Sequence, residues 1–220
     1  MANDRRVNIS GKSSNRAPAP VRVRVQTYGT CTVDVAGVRL GRNADVVIAL
    51  LLLLTHSPNM QLPRDTALEL LWPTSPEKRQ RGNLRQAMYK LRQMGINASM
   101  HGDQVELDAS QLEPTFSIRR DAASFDAQVL PGHEPLGQFL AGYDVGDNAP
   151  LSAWIEHQRE RANGDVRRVL ATALNTRRAV ADWAAAEPLA RWLLQFDPLN
   201  EAATLAMSEC LLMSGAKYEA

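Results

Sequence analysis

Nine consecutive apolar residues, Val46–Leu54 (VVIALLLLL), set the first limit on what this chain can fold into. A bilayer span needs roughly 20 apolar residues, and this run has under half of that. A secretory leader would carry such a run near the N-terminus with a small-residue cleavage site behind it, and neither condition holds. The run therefore reads as a buried core helix, capped by Asn43 and reaching about Thr55, with Val47, Leu50, Leu51 and Leu54 as core residues.

The pattern on either side of the run gives an order of elements. Residues 1–20 are rich in Ser, Asn, Arg and Pro and read as a disordered, mildly basic tail. Val21–Tyr28 alternates valine with Arg22, Arg24 and Gln26, the period of a half-buried strand. Thr32–Val35 and, after an Ala36-Gly37 turn, Val38–Leu40 complete a small antiparallel sheet. Leu62–Pro63 opens a second helix, Arg64–Leu71, which Trp72-Pro73 closes. A third, basic helix follows, and then Ala98–His101 and Gln104–Leu107 flank a Gly102-Asp103 turn as a hairpin. Sheet, helix, helix, basic helix and hairpin is the layout of a winged helix-turn-helix with an extra N-terminal sheet.

The basic helix lies in Ser75–Gly95, SPEKRQRGNLRQAMYKLRQMG. Ser75 suits a cap, Pro76 the first helical position, Glu77 the first turn and Gly95 the stop. Leu84, Ala87, Met88 and Leu91 form one apolar stripe at helical spacing. The opposite face carries Arg79, Gly82, Asn83, Gln86, Tyr89, Lys90 and Gln93, with Arg85 and Arg92 on its flanks. Arg, Asn and Gln can read purine edges bidentately, while Lys and Arg neutralise phosphates. The expected DNA-binding set is Lys78, Arg79, Arg81, Asn83, Arg85, Gln86, Tyr89, Lys90 and Arg92. Asn83 and Gln86 are the candidates for base edges. A solvated charge run is the bland alternative, and the surrounding winged-helix order argues against it.

Charge is divided along the chain. Residues 1–120 hold 17 Lys and Arg against 10 Asp and Glu, a balance of +7, whereas residues 121–220 hold 8 against 14, a balance of −6. A basic module for a polyanion and a second module with another task follow from that split. Cys31 and Cys210 lie far apart, fitting a reducing compartment, and the four histidines form no metal-ligand spacing. No cofactor is expected. GxGxxG, GKS/T, GxSxG and HExxH patterns are absent, so catalysis is not expected either.

Beyond Phe116 the texture is helical, with Leu151–Ala179 (Gly164 its possible weak point), Val180–Phe196 and Asn200–Met213 as helices. Ala181–Ala186 aligns with Ala216–Ala220 at a 35-residue offset, with Phe196–Asn200 between them, the phasing of a tetratricopeptide-like repeat. Trp183 and Trp192 belong near helix contacts. A repeat cut at Ala220 is expected to leave Leu205, Leu211, Leu212 and Tyr218 without partners, as in a truncated piece of a longer protein. The expected class is α+β: a winged helix-turn-helix with small antiparallel sheets over 21–115, then an all-α tetratricopeptide-like module over 116–220.

Both halves resemble known modules. The N-terminal part resembles the OmpR-type winged helix of bacterial regulators in Leu50–Leu54, Arg64-Asp65 through Leu70-Leu71-Trp72-Pro73, Asn83-Leu84 and Leu91-Arg92. The C-terminal part resembles the bacterial transcriptional activator domain in Asp121…Phe125, Phe139-Leu140-Ala141-Gly142-Tyr143, Trp154…Arg159 and Asp197-Pro198-Leu199-Asn200-Glu201. The pairing is similar to the antibiotic regulatory proteins of actinomycetes (SARP-like) over about residues 21–220. Two departures are a short wing and no glycine-tyrosine pair after the hairpin. This resemblance implies a sequence-specific duplex DNA-binding activator that recruits RNA polymerase and acts as a homodimer on direct repeats. It implies residence in the bacterial cytoplasm at the nucleoid, with no membrane partner. It also implies that the Trp72–Ser75 turn faces polymerase, with Trp72, Thr74 and Ser75 as contact candidates, although Trp72 itself reads as half-buried packing. The rival class is a protein-interaction adaptor that uses the helical module without specific DNA binding.

Overall fold

The computed structural model describes residues 21–41, 44–113, 137–213 and 215. The 1–20 tail, the Asn43 cap, the 115/116 module boundary, Asp121 and Phe125, and the Ala216–Ala220 half of the repeat with Tyr218 lie outside the described residues. The fold is α+β, with small antiparallel sheets and a winged helix-turn-helix followed by a helical, tetratricopeptide-like region.

Strands β1 (Val23–Gln26), β2 (Thr32–Val35) and β3 (Val38–Arg39) form the N-terminal sheet in that order. Val23, Val25, Val33 and Val35 point inward, as alternation requires, and their neighbours point out. Helix α1 (Asp45–His56) follows, and Leu50 through Leu54 are all sealed from solvent. The four core positions expected from sequence are buried, together with Ala49, Leu52 and Leu53. Helix α2 (Arg64–Leu71) and helix α3 (Glu77–Gln93) pack on it.

Pro63 stands at the N-cap of α2, as expected, but it and Leu62 also belong to a strand not expected from the sequence. Gln61–Pro63 is a strand, β4, that pairs with β6 (Gln104–Leu107), which in turn pairs with β5 (Ala98–His101). The hairpin is thus two strands of a three-stranded sheet in the order β4-β6-β5. Proline is tolerated there because β4 is an edge strand.

The helical region comprises α4 (Ala149–Ala179), α5 (Trp183–Phe196) and α6 (Glu201–Met213). Gly164 does not interrupt α4, which runs through it. Val180 lies outside α5 and is exposed. The chain turns there because Ala181 takes φ +55° and the Asp182 amide donates back to Arg177 O at 3.0 Å. Asp182 then caps α5 through Ala185 N–H, and Asn200 caps α6 through Ala203 N–H. Trp192 is buried and Trp183 packs against the same core. Leu205 and Leu212 are exposed.

Helix α4 belongs to two cores. Leu151, Ile155 and Ala162 join the core built on α1, whereas Val166, Val169, Leu170 and Leu174 join that of α5 and α6. Asn148 caps α4 and sends its Nδ2 to Leu70 O at 2.8 Å, tying α4 to the end of α2. The Phe139-Leu140 segment lies beneath: Phe139 meets Tyr28 and His56 edge-on, with ring centroids 5.6 and 5.2 Å apart. Arg159 donates to the carbonyls of Phe139 (3.0 Å) and Leu140 (2.8 Å), fixing Leu140 at its left-handed φ of +52°. A Cβ on Gly137 would stand 2.5 Å from Gly29 Cα, so this backbone passes directly over β1's exit.

Leu51 is fully sealed from water within a large apolar cluster. Leu51→Ala is expected to lower unfolding free energy by about 2–5 kcal/mol in urea melts followed by circular dichroism.

Candidate nucleic-acid interface

Helix α3 is amphipathic with its two faces sharply divided. Leu84, Ala87, Met88 and Leu91 are buried against α1 and α2. Lys78, Arg79, Arg81, Arg85, Gln86, Tyr89, Lys90 and Arg92 are exposed, and Asn83 is half-buried. All nine residues singled out from sequence thus lie on α3 outside its buried stripe, spread over roughly half of the helix circumference. Arg81 is ion-paired to Glu77 one turn earlier. Among the described residues, no carboxylate pairs with Lys78, Arg79, Arg85, Lys90 or Arg92. Tyr89 keeps 56% of its surface exposed, and its hydroxyl accepts from Gln93 Nε2 at 2.7 Å. That ring is an amphipathic plate in the middle of a cationic face.

Both ends of α3 are anchored. Its start differs from the sequence expectation: Pro76 sits at the cap position, and Ser75 makes no side-chain capping bond. The Pro76 carbonyl accepts from Arg79 and Gln80 N–H (2.8 and 3.0 Å), and extended backbone at Pro76 leaves Ser75 outside the helix. Trp72 is half-buried on the core, and its carbonyl accepts from Ser75 N–H (3.1 Å) and Gln80 Nε2 (2.7 Å). The Trp72–Ser75 turn is thereby fixed to α3, with Pro73 and Thr74 exposed and Ser75 half-buried.

Gly95 ends the helix at φ +78°, donating to Arg92 O at 3.0 Å, while Ile96 N–H reaches Leu91 O at 3.0 Å. This paired closure satisfies two terminal carbonyls, and buried Ile96 seals it. A Cβ at Gly95 would stand 2.6 Å from Val21 Cγ2, so glycine also lets the N-terminal segment pass close to the helix end.

Sequence reasoning missed the residue that joins α3 to the hairpin. Gln111, only 3% exposed, donates through Nε2 to Gly95 O (2.8 Å) and accepts Asn97 N–H on Oε1 (2.5 Å). No periodic signal marks a glutamine in a polar loop 14 residues beyond its partner. Asp108 reinforces the junction: its amide donates to Asn97 O at 3.0 Å, and its side chain accepts from Ser110 N–H. The Asp108 carboxyl is held below its ordinary range, first by hydrogen bonding to Ser110 and then to Asn97.

The hairpin tip adds little positive charge. Asp103 accepts from Arg64 at the start of α2 (3.0 Å), and Arg64 also meets Asp65 (3.3 Å). His101 Nδ1 lies 3.3 Å from Glu106. Among the described residues, no cluster of three His, Cys, Asp or Glu could hold a metal ion, and no helix is long and apolar enough to cross a membrane.

No family model matches the chain, and no curated protein matches it. Among solved structures the chain is similar to Mycobacterium tuberculosis EmbR in complex with a low affinity phosphopeptide. That likeness has 13% sequence identity and a TM-score of 0.44, over 90% of this chain and 60% of that one. The chain thus spans less than two thirds of that structure's length.

Gln111→Leu keeps the bulk of the side chain but removes both of its hydrogen bonds, to Gly95 O and from Asn97 N–H. The expected cost is about 0.5–1.5 kcal/mol for each bond lost, read from urea unfolding, with faster amide exchange at Asn97.

Proposed function

We propose that this protein binds duplex DNA sequence-specifically through α3 and regulates transcription, acting as an activator that recruits RNA polymerase. The observation that carries this reading is the anchored helix whose exposed surface interleaves five cations, without carboxylate partners among the described residues, with Asn83, Gln86 and Tyr89. An α-helix fits the major groove, where Asn and Gln meet base edges while Lys and Arg hold phosphates on either side. In this reading Arg79, Asn83, Gln86 and Lys90 form the DNA-facing surface with Arg85 and Arg92 on its flanks; Asn83 and Gln86 meet base edges, and the cations, Lys78 and Arg81 included, mainly meet phosphates. Arg81 must exchange Glu77 for phosphate, so it contributes less than the unpaired cations.

The polymerase-facing assignment for Trp72, Thr74 and Ser75 is part of the same proposal. Its support is that the turn is exposed at Pro73 and Thr74 yet held rigid by Gln80. Trp72 serves there as an anchor rather than a contact. The winged-helix module of residues 21–115 reads DNA, and the helical module from 116 onward serves dimerisation on direct repeats in a bacterial cytoplasm. The adaptor reading draws on exposed Leu205, Leu212 and Met213 on α6, an apolar surface suited to protein contact.

Salt dependence of duplex binding separates the two readings. The DNA reading expects log affinity to fall steeply with log salt, and the adaptor reading expects no duplex binding. Arg79→Ala/Arg85→Ala should make that slope shallower by about 2, the loss of two neutralised phosphates. Asn83→Ala should instead cost about 1–3 kcal/mol at the preferred site and little elsewhere. Fluorescence anisotropy across a salt series measures all three. Unchanged binding by the double-arginine variant would remove α3 as the interface.

A further inference from the structure

A second cationic feature lies on the outer face of the N-terminal sheet. Arg22 and Arg24 point outward beside inward Val23 and Val25. Strand register sets Arg24 against Asp34 and Asp34 against Arg39, a cross-strand row of Arg, Asp, Arg. Glu113 returns beside β1, its amide donating to Val23 O at 2.8 Å and its carboxylate meeting Arg24 Nε at 2.7 Å. Arg22, Arg24, Asp34, Gly37, Arg39 and Glu113 line a cleft of about 450 Å³.

Depth sorts the charges in this cleft. The side chains of Asp34 and Glu113 are 19% and 31% exposed, whereas those of Arg39 and Arg24 are 65% and 60% exposed. The acids lie beneath and orient two guanidinium groups, and the cations form the outer layer. Arg24 is engaged through Nε alone, leaving its terminal nitrogens as donors. Among the described residues, no carboxylate pairs with Arg22, whose side chain is exposed at the rim. Three guanidinium groups over two carboxylates leave one net positive charge and a surplus of forked donors pointing into one concavity.

We propose that this cleft binds a multiply charged oxyanion of the phosphoryl class. A lone carboxylate offers two oxygens and one charge, no better than Asp34 and Glu113 already supply. A phosphoryl group brings three acceptor oxygens and a second charge, enough to engage Arg22 and the free nitrogens of Arg24 together. The group comes either from a free phosphate compound or from a duplex backbone.

Pyrophosphate, titrated into the full chain at constant ionic strength, is the probe for the first source. Amide resonances of residues 22–24 and 34–39 should shift saturably. In Arg22→Ala/Arg24→Ala the affinity should drop at least about tenfold with an unchanged melting temperature, since the exposed Arg24–Glu113 pair contributes little to stability. Should that double variant melt early, Arg22→Gln replaces it, since Arg22 supports no ion pair in the fold. Equal saturable shifts in wild type and variant overturn the site, as does a response no larger than that to matched sodium chloride. A duplex arm then distinguishes the sources. A salt slope shallower by about 2 in the double variant assigns the phosphates to DNA, and an unchanged slope with pyrophosphate binding intact in wild type assigns a free phosphate compound. The α3 reading is tested separately, because Arg79→Ala/Arg85→Ala should leave the pyrophosphate shifts unaltered.

Discussion

Leu50, Leu51, Leu52, Leu53 and Leu54 point in every direction around α1, and all are sealed from water. An ordinary surface helix buries one stripe; this one needs cover on every side. Helices α2 and α3 supply part of it, β4 and β6 another part, and the valines of the N-terminal sheet close the same core. Those elements do not suffice, and Phe139, Leu140, Leu151 and Ile155 return from far along the chain to complete the cover. The DNA-reading geometry proposed for α3 thus rests on residues that a minimal winged helix would not contain.

That return gives α4 its double role. At 1.5 Å per residue its 31 residues extend about 46 Å. Its first half is fixed by Asn148 to α2 and by Arg159 to the Phe139-Leu140 backbone. Its second half packs on α5, and Arg178 grips Glu209 of α6 with two bonds of 2.8 and 2.9 Å. A bidentate, partly buried pair of this kind resists sliding better than an exposed point contact. A displacement of α5 and α6 therefore acts on the helix that also supports α2.

Local patterns made most elements legible. The alternation in β1, the leucine run, the boundaries of α2 and the two strands of the hairpin are written within short windows. Elements defined by distant partners were not. The strand β4 has three residues, and only Gln104–Glu106, 41 to 45 positions later, make it a strand. Gly164 looks like a breaker, yet a glycine costs a helix only about 1 kcal/mol, and packing on both sides of it covers that easily. Val180 could have been excluded locally, since Asp182 is a good cap followed by alanines. On α3 the charged face was legible, and the i,i+4 spacing of Glu77 and Arg81 already allowed their pair, but whether distant carboxylates reach the other cations was not. Gln111 shows the same limit, because its role depends on where Gly95 and Asn97 are held.

Charge pairing sorts the surface more finely than net charge does. In the helical region Arg159, Arg168, Arg177, Arg178 and Arg191 each hold a carboxylate, so many of its acids are already engaged. At the hairpin tip, Arg64 is held by both Asp103 and Asp65, so that side carries no surplus of positive charge. Among the described residues, Lys78, Arg79, Arg85, Lys90 and Arg92 lie along α3 with no carboxylate partner, so phosphate can bind there without first breaking an ion pair. On the proposed interface a polyanion is therefore oriented by α3 and only loosely by the wing. Under that proposal a short wing is no handicap, because the helix assigned to read the sequence also carries the charge that would draw the duplex in.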